Sequence, residues 1–204
     1  SSNFSIIEGL QLSNLKSAGI RMTYSNFNDF KNINITDTQN SLDIDGSTAN
    51  NFSGLFIDED GYSSMFGCDN ASIVNSTFKS YILLADSDYV VFSDNNITSV
   101  EGIGVEFFLS KNATLRGNRF YSNDRGLFLY KNSDILVENN IFHNNSQYGL
   151  FGKPFPVMTI QNNTFTKNGN ATVFDIFYPV KLRYNKIFDN NIGIYVVDRS
   201  NMEL

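Results

Sequence analysis

Tryptophan is absent from this chain, cysteine and histidine occur once each, and proline occurs three times, at Pro154, Pro156 and Pro179. A lone cysteine excludes an internal disulfide, and Cys68, beside Phe66 and Gly67, reads as a small packed residue. A lone histidine leaves zinc sites and nucleophile triads without their constellation, so His143 is expected as a solvated corner residue. No apolar run approaches the roughly 18 residues of a membrane span. The start, Ser1-Ser2-Asn3-Phe4, has neither Met nor a signal-like apolar core and reads as a mature or excised segment. Charge is sparse too, with 15 Lys and Arg against 21 Asp and Glu and a net charge of -6. Without a basic run or stripe, nucleic acid is not an expected partner.

Asparagine, by contrast, occurs 29 times and phenylalanine 19 times in 204 residues that are 41% hydrophobic. Asn tolerates left-handed backbone and favours turns, so this load implies many tight, repeated corners in one elongated domain over residues 1–204. The repeat is visible. A small residue followed by apolar residues at alternate positions begins at Gly104, Gly126, Gly149 and Gly193, and weaker copies begin at Gly19, Ser41, Ser64, Tyr81 and near Val173. The steps average about 22 residues, a length that speaks for stacked repeats.

A second column reads Phe78, Ile97, Phe120, Phe142, Phe165 and Ile187, and two residues before its members stand Ser76, Asn95, Asn118, Asn140, Asn163 and Asn185. Five residues before lie Ile73, Phe92, Leu115, Val137, Ile160 and Leu182, and seven before lie Ala71, Val90, Ala113, Ile135, Met158 and Val180. Apolar residues two apart mark strands with one buried face. Each unit therefore holds three short strands and three corners. Stacking units at about 4.8 Å pairs the strands in parallel and closes a core that no single unit could bury. Buried Asn95, Asn118, Asn140, Asn163 and Asn185 would satisfy their amides along the stack as an Asn ladder, whereas Asn145 is expected exposed. The predicted fold is an all-β, right-handed, single-stranded parallel β-helix of about nine coils. Its register is legible from 64 to 204 and fades over 1–63.

The run from Gly126 to Phe142, GLFLYKNSDILVENNIF, resembles the repeat of the pectate-lyase-like right-handed β-helix superfamily, whose looser members include periplasmic copper-processing-like β-helix repeats. The resemblance implies the fold. It leaves function open, since the superfamily hosts lyases, hydrolases, spikes, adhesins and plain scaffolds. The copper role of some relatives finds no ligand set here, and no cofactor is expected.

Candidate chemistry is thin. Asp43 and Asp45 with Gly46, then Asp58, Glu59 and Asp60 with Gly61, then Asp86 and Asp88 offer oxygen ligands, but none follows a calcium loop, which leaves calcium a weak possibility. Arg116, Glu138, Gln161 and Arg183 form an outer column in which Arg116 faces Glu138. Tyr121, Phe128, Tyr130, Tyr148 and Phe151 lie outside the core columns, and Phe128 with Phe151 could form an interface or a sugar platform.

Sequons occur at Asn3, Asn34, Asn51, Asn70, Asn75, Asn96, Asn112, Asn144, Asn162 and Asn170, about double the number expected from composition. They point to a glycosylated, extracellular or cell-surface protein. Asn96 is expected to point outward and Asn162 to be hindered at a corner. Ile194 and Val196 begin a further coil whose edge would need covering by another copy or an adjacent β-helix domain. The leading expectation is a non-catalytic structural module or filament subunit; a carbohydrate-active enzyme and a glycan-binding adhesin or spike are the alternatives.

Overall fold

A computed structural model describes residues 4–58, 61–98, 101–153, 157–176 and 178–198. One side of the solenoid is a nine-stranded parallel sheet, running from Ser5–Glu8 through Val91–Ser93, Thr114–Arg116 and Ile135–Glu138 to Val180–Arg183. The other two sides belong to one 16-stranded sheet. They are joined because Gln11–Thr23 and Asn34–Asp45 run unbroken around the corner that later coils divide into pairs such as Arg119–Tyr121 and Arg125–Tyr130. The fold is thus a β-helix with three strand positions per coil.

Strand pairing places Phe78, Ile97, Phe120, Phe142, Phe165 and Ile187 in one register column. Phe120 and Phe142 stack at 4.8 Å, and Phe142 and Phe165 at 4.6 Å, the spacing of the rungs themselves. These three phenylalanines are fully buried, and so are Phe92, Leu115, Val137 and Ile160 opposite them. Side chains from different faces of the coil therefore meet across a dry interior.

Each corner is made by a pair of residues. The first takes left-handed backbone and the second turns its side chain inward, polar in three columns and apolar at Ala71, Val90, Ala113 and Ile135. Of 22 non-glycine residues with positive φ among the described residues, thirteen are Asn or Asp, the types that tolerate it best. At one corner Asn75, Asp94, Gly117, Asn139, Asn162 and Tyr184 precede Ser76, Asn95, Asn118, Asn140, Asn163 and Asn185. Asn118 shows the bonding: its Oδ1 accepts from the Asn95 backbone amide at 3.0 Å and the Asn95 side-chain amide at 3.1 Å. Its own amide donates to Asn140 Oδ1 at 3.0 Å and to the Phe92 carbonyl at 2.9 Å. The same bonds recur through Asn140, Asn163 and Asn185.

A second ladder occupies the next corner. Asn123, Asn145, Asn168 and Asn190 repeat the pattern, following Ser122, Asn144, Lys167 and Asp189 at positive φ. Asn145 is fully buried rather than exposed, bonded to Asn123, Asn168 and the Phe120 carbonyl. The third corner uses hydroxyls: Ser25, Ser47, Cys68, Ser87, Ser110 and Asn132 stand in one column, whose backbone amides donate to the side chain one coil on. Cys68 thus holds a serine's place, with the Ser47 amide on its sulfur, and burial pushes its thiol up to about 11.

Two anchors of the repeat lie elsewhere than expected. Tyr62 and Ala171, not Ser64 and Val173, align with Tyr81 and Gly149. The cause is the same in both coils: Ser63 and Thr172 fill a core column held elsewhere by Leu42, Ile82, Val105, Leu127 and Leu150, so the apolar signal is interrupted. Glycine at the anchor follows from close stacking, since a Cβ on Gly126 would meet the Gly149 carbonyl oxygen at 2.5 Å.

Asn140→Leu and Asn145→Leu are each expected to cost at least about 2 kcal/mol, because each strands several buried donors and acceptors. The exposed Asn191→Leu is expected to stay within about 0.5 kcal/mol of the parent. Denaturant midpoints check this, and an unshifted Asn145→Leu would contradict the second ladder. The Ser63 hydroxyl is buried without a partner among the described residues. Ser63→Val is therefore expected to stabilise by about 1 kcal/mol, read as a raised Tm.

Candidate functional site

Where the repeat is regular, a β-helix has flat sides, so a concavity needs a coil of unusual length. Between the second and third faces the chain takes seven residues from Phe120 to Leu127 and eight from Ile97 to Val105, but only four from Phe78 to Ile82. The short corner leaves a notch beneath the longer corners of the following coils. Its cleft of about 450 Å³ is lined by Tyr81, Glu101, Gly102, Ile103, Asp124, Arg125 and Gln147.

The notch is held by hydrogen bonds between coils. The backbone amides of Asp124 and Arg125 both donate to the Gly102 carbonyl, at 3.0 and 3.1 Å. Arg125 Nε donates to Gln147 Oε1 at 3.0 Å, and its guanidinium lies 5.7 Å from the centre of the Tyr148 ring. Ser146 donates to Asp124 Oδ1 at 2.7 Å. Tyr81 donates its hydroxyl to Glu106 at 2.7 Å; burial first, then the Glu106 carboxylate, hold the phenol far above its ordinary range. Tyr148 is pushed up to about 12 by burial, with Arg125 opposing the shift and Glu106 adding to it. A general base at neutral pH needs the opposite shift.

Phe128 and Phe151 stack face to face at 4.7 Å and 8°, half-buried. Phe108 stacks on Tyr130 at 5.7 Å, while Lys131 and Lys153 approach the Tyr130 ring at 5.4 and 5.6 Å. Those faces are occupied within the molecule, leaving mainly edges outward. Sugar stacking uses ring faces. Tyr121 and His143 lie side by side on the second face, both half-buried, and His143 ends a strand instead of standing at a solvated corner. Together with Asn96, Arg119 and Ile141 they line a second cleft of about 410 Å³.

The acidic candidates do not converge. Asp43 pairs with Arg21 at 2.7 Å, Asp58 with Lys79 at 3.1 Å, and Asp88 accepts from the Lys111 backbone amide at 2.8 Å. Asp45 and Asp86 are exposed, and Glu59 and Asp60 lie outside the described residues. Among the described residues no group of three or more His, Cys, Asp or Glu could hold a metal ion. On the outer column Glu138 accepts from Gln161 at 3.0 Å rather than engaging Arg116.

Of the sequons, Asn70, Asn75, Asn112, Asn144 and Asn162 are exposed corner residues at positive φ, so Asn162 is open rather than hindered. Asn51 is exposed, and its amide donates to Asp29 at 2.7 Å, the leading cause that holds the Asp29 carboxyl below its usual range. Asn34, Asn96 and Asn170 are half-buried on strands, Asn96 donating to the Tyr121 hydroxyl at 3.3 Å; Asn3 lies outside the described residues. Ile194 and Val196 continue the inward columns of Thr172 and Phe174 on the last described coil, where they are 53% and 48% exposed.

Tyr81 and Tyr148 are neutral when protonated, so their raised values favour the folded state below the unfolded pKa of about 10, and that contribution is lost as pH rises through the folded values. Phenolate absorbance is expected to show Tyr148 ionising near pH 12 and Tyr81 later still. Glu106→Gln is expected to bring the Tyr81 step down; an unchanged titration would remove Glu106 from its partners.

A family model for a right handed beta helix region matches residues 64–204. No curated protein matches the sequence. Among solved structures, the A-module of the Azotobacter vinelandii mannuronan C-5 epimerase AlgE4 is similar at 11% identity, covering 97% of this chain and 79% of that one, with a TM-score of 0.47. The AlgE6 A-module of the same organism is similar at 9% identity, covering 86% and 66%, with a TM-score of 0.38. HetL, a pentapeptide repeat protein involved in heterocyst differentiation regulation from the cyanobacterium Nostoc sp. strain PCC 7120, gives 10% identity, 93% and 88% coverage and a TM-score of 0.34.

Proposed function

We propose that this chain, which belongs to the right handed beta helix family, is a non-catalytic structural module that acts as a stiff extracellular rod. The observation that carries the reading is the direction of its side-chain bonding. Outer polar groups pair along the axis with the next coil: Arg21 with Asp43, Asp29 with Asn51, Asp58 with Lys79, Asp124 with Ser146, Glu138 with Gln161 and Lys153 with Asp175. Groups arranged so neutralise one another and tie rung to rung. They do not converge on one reacting point, as a carboxylate pair for glycoside cleavage must.

A cell-surface or secreted setting is supported by six exposed sequon asparagines, five of them at corners where an attached sugar would project clear of the strands. Sugars there would discourage sideways association and leave the ends for assembly. Ile194 and Val196 at one end, and half-buried Ile7 and Leu12 at the other, belong to inward columns that another coil would cover. The partner in this reading is an adjacent β-helix domain or a second copy.

Nine rungs at the usual strand spacing give a rod of about 43 Å. Electron microscopy of the 204-residue chain is expected to show end-to-end assemblies with that axial repeat, lost in the Ile194→Asp, Val196→Asp double variant. The same 204 residues secreted from a glycosylating host are expected to exceed the 23.0 kDa of the polypeptide in intact mass. Dispersed particles at high concentration would remove the filament role, and a mass equal to the polypeptide would remove glycosylation.

A further inference from the structure

We propose that the cleft on the second face binds a phosphate monoester, holding its phosphate group between Arg119 and His143. Hydrogen-bond donors from three successive coils meet there. Arg119 and Tyr121 lie two residues apart on one strand, so both point outward. His143 is the register partner of Tyr121 in the next coil, and Asn96 that of Arg119 in the coil before. With Ile141 these residues line the cleft of about 410 Å³. Strand rise and rung spacing set the four polar side chains on a patch of about 7 by 10 Å, within reach of one phosphate group.

Their bonding leaves donors to spare. Among the described residues the Arg119 guanidinium and the His143 imidazole make no hydrogen bond or ion pair with the rest of the chain. The Tyr121 hydroxyl accepts from the Asn96 amide at 3.3 Å, which leaves its own proton to donate. Tyr121 and His143 are half-buried, so two of the donors lose little freedom when a ligand arrives.

Charge selects the class. From Asn96 to Phe188 the outward positions of the second face carry Arg119, His143 and Lys186 and no carboxylate, in a chain with 21 acids against 15 Lys and Arg. Asp94, at the corner two residues before Asn96, makes no ion pair with Arg119. A phosphate monoester brings a charge of about -1.5 to -2 at neutral pH and three acceptor oxygens, against one charge and two oxygens for a carboxylate. It therefore uses a guanidinium, an imidazole and a phenol together, where a carboxylate is satisfied by the guanidinium alone. The cleft is larger than a phosphate group, and the exposed Ile141 side chain and the Tyr121 ring give the organic part of the ester an apolar wall.

The test is calorimetry and saturation-transfer NMR of the 204-residue chain with phenyl phosphate, inorganic phosphate, phenyl sulfate, benzoate and a galacturonate oligosaccharide. Phenyl phosphate is expected to bind more tightly than each of the other four. Arg119→Ala is expected to weaken it at least about tenfold with unchanged circular dichroism and Tm, and His143→Ala to weaken it in the same direction. Arg116→Ala, which removes the same charge from the first face, is expected to leave the affinity unaltered. No binding of phenyl phosphate, binding of any other probe as tight or tighter, or an equal loss in Arg116→Ala would overturn the proposal. If Arg119→Ala disturbs the fold, Arg119→Gln replaces it under the same criterion.

Discussion

A buried amide that must find its partner in the next coil is the constraint on which this molecule depends. Each ladder asparagine in the interior of the stack bonds in both directions, its oxygen serving the coil before and its nitrogen reaching both coils. A coil shifted by one residue would leave these groups unpaired inside a dry core, at about 1 to 3 kcal/mol for each. Register is therefore fixed at the corners, where hydrogen bonds are directional, and the phenylalanine and aliphatic columns follow. Strand lengths of two to four residues on the first two faces from Asn51 onward would set register poorly alone.

What the sequence makes legible follows from this division of labour. Columns with one chemical type throughout, such as Phe120, Phe142 and Phe165, can be read directly, as can the Asn column two residues earlier. The second ladder was also there to be seen, in the 22- and 23-residue spacing of Asn123, Asn145, Asn168 and Asn190. It was obscured because the neighbouring Asn144 does a different task with the same side chain, supplying left-handed backbone. The serine column was less legible still. A hydroxyl and a thiol accept the same backbone amide as an asparagine, so Ser87, Cys68 and Asn132 share a structural role without sharing a residue type.

The candidate site was hidden for another reason. No residue of the notch forms a recurring phrase, because the cleft is made by residues missing from one corner. Its lining, from Tyr81 to Gln147, spans four successive coils and becomes a group only when those coils are stacked. The aromatic residues, in contrast, were legible as an outer strip, but their use was not. Stacking at 4.7 Å spends the facing surfaces of Phe128 and Phe151 on each other, which makes the strip part of the rung-to-rung bonding.

That contrast indicates where a solenoid can acquire recognition. Identical coils produce flat sides on which equivalent side chains lie within bonding distance of one another, and such neighbours engage each other as Lys153 engages Asp175 Oδ2 and Gln161 engages Glu138. A group becomes available to a ligand only where its equivalent in the next coil is absent, displaced or of unlike kind. The short corner at Tyr81 departs from the period in this way, with four residues from Phe78 to Ile82 where the next coil takes eight from Ile97 to Val105. In a fold held by its own periodicity, the departures from period are the places where side chains of unlike kind are brought together, as Arg125, Gln147 and Tyr148 are beside the short corner.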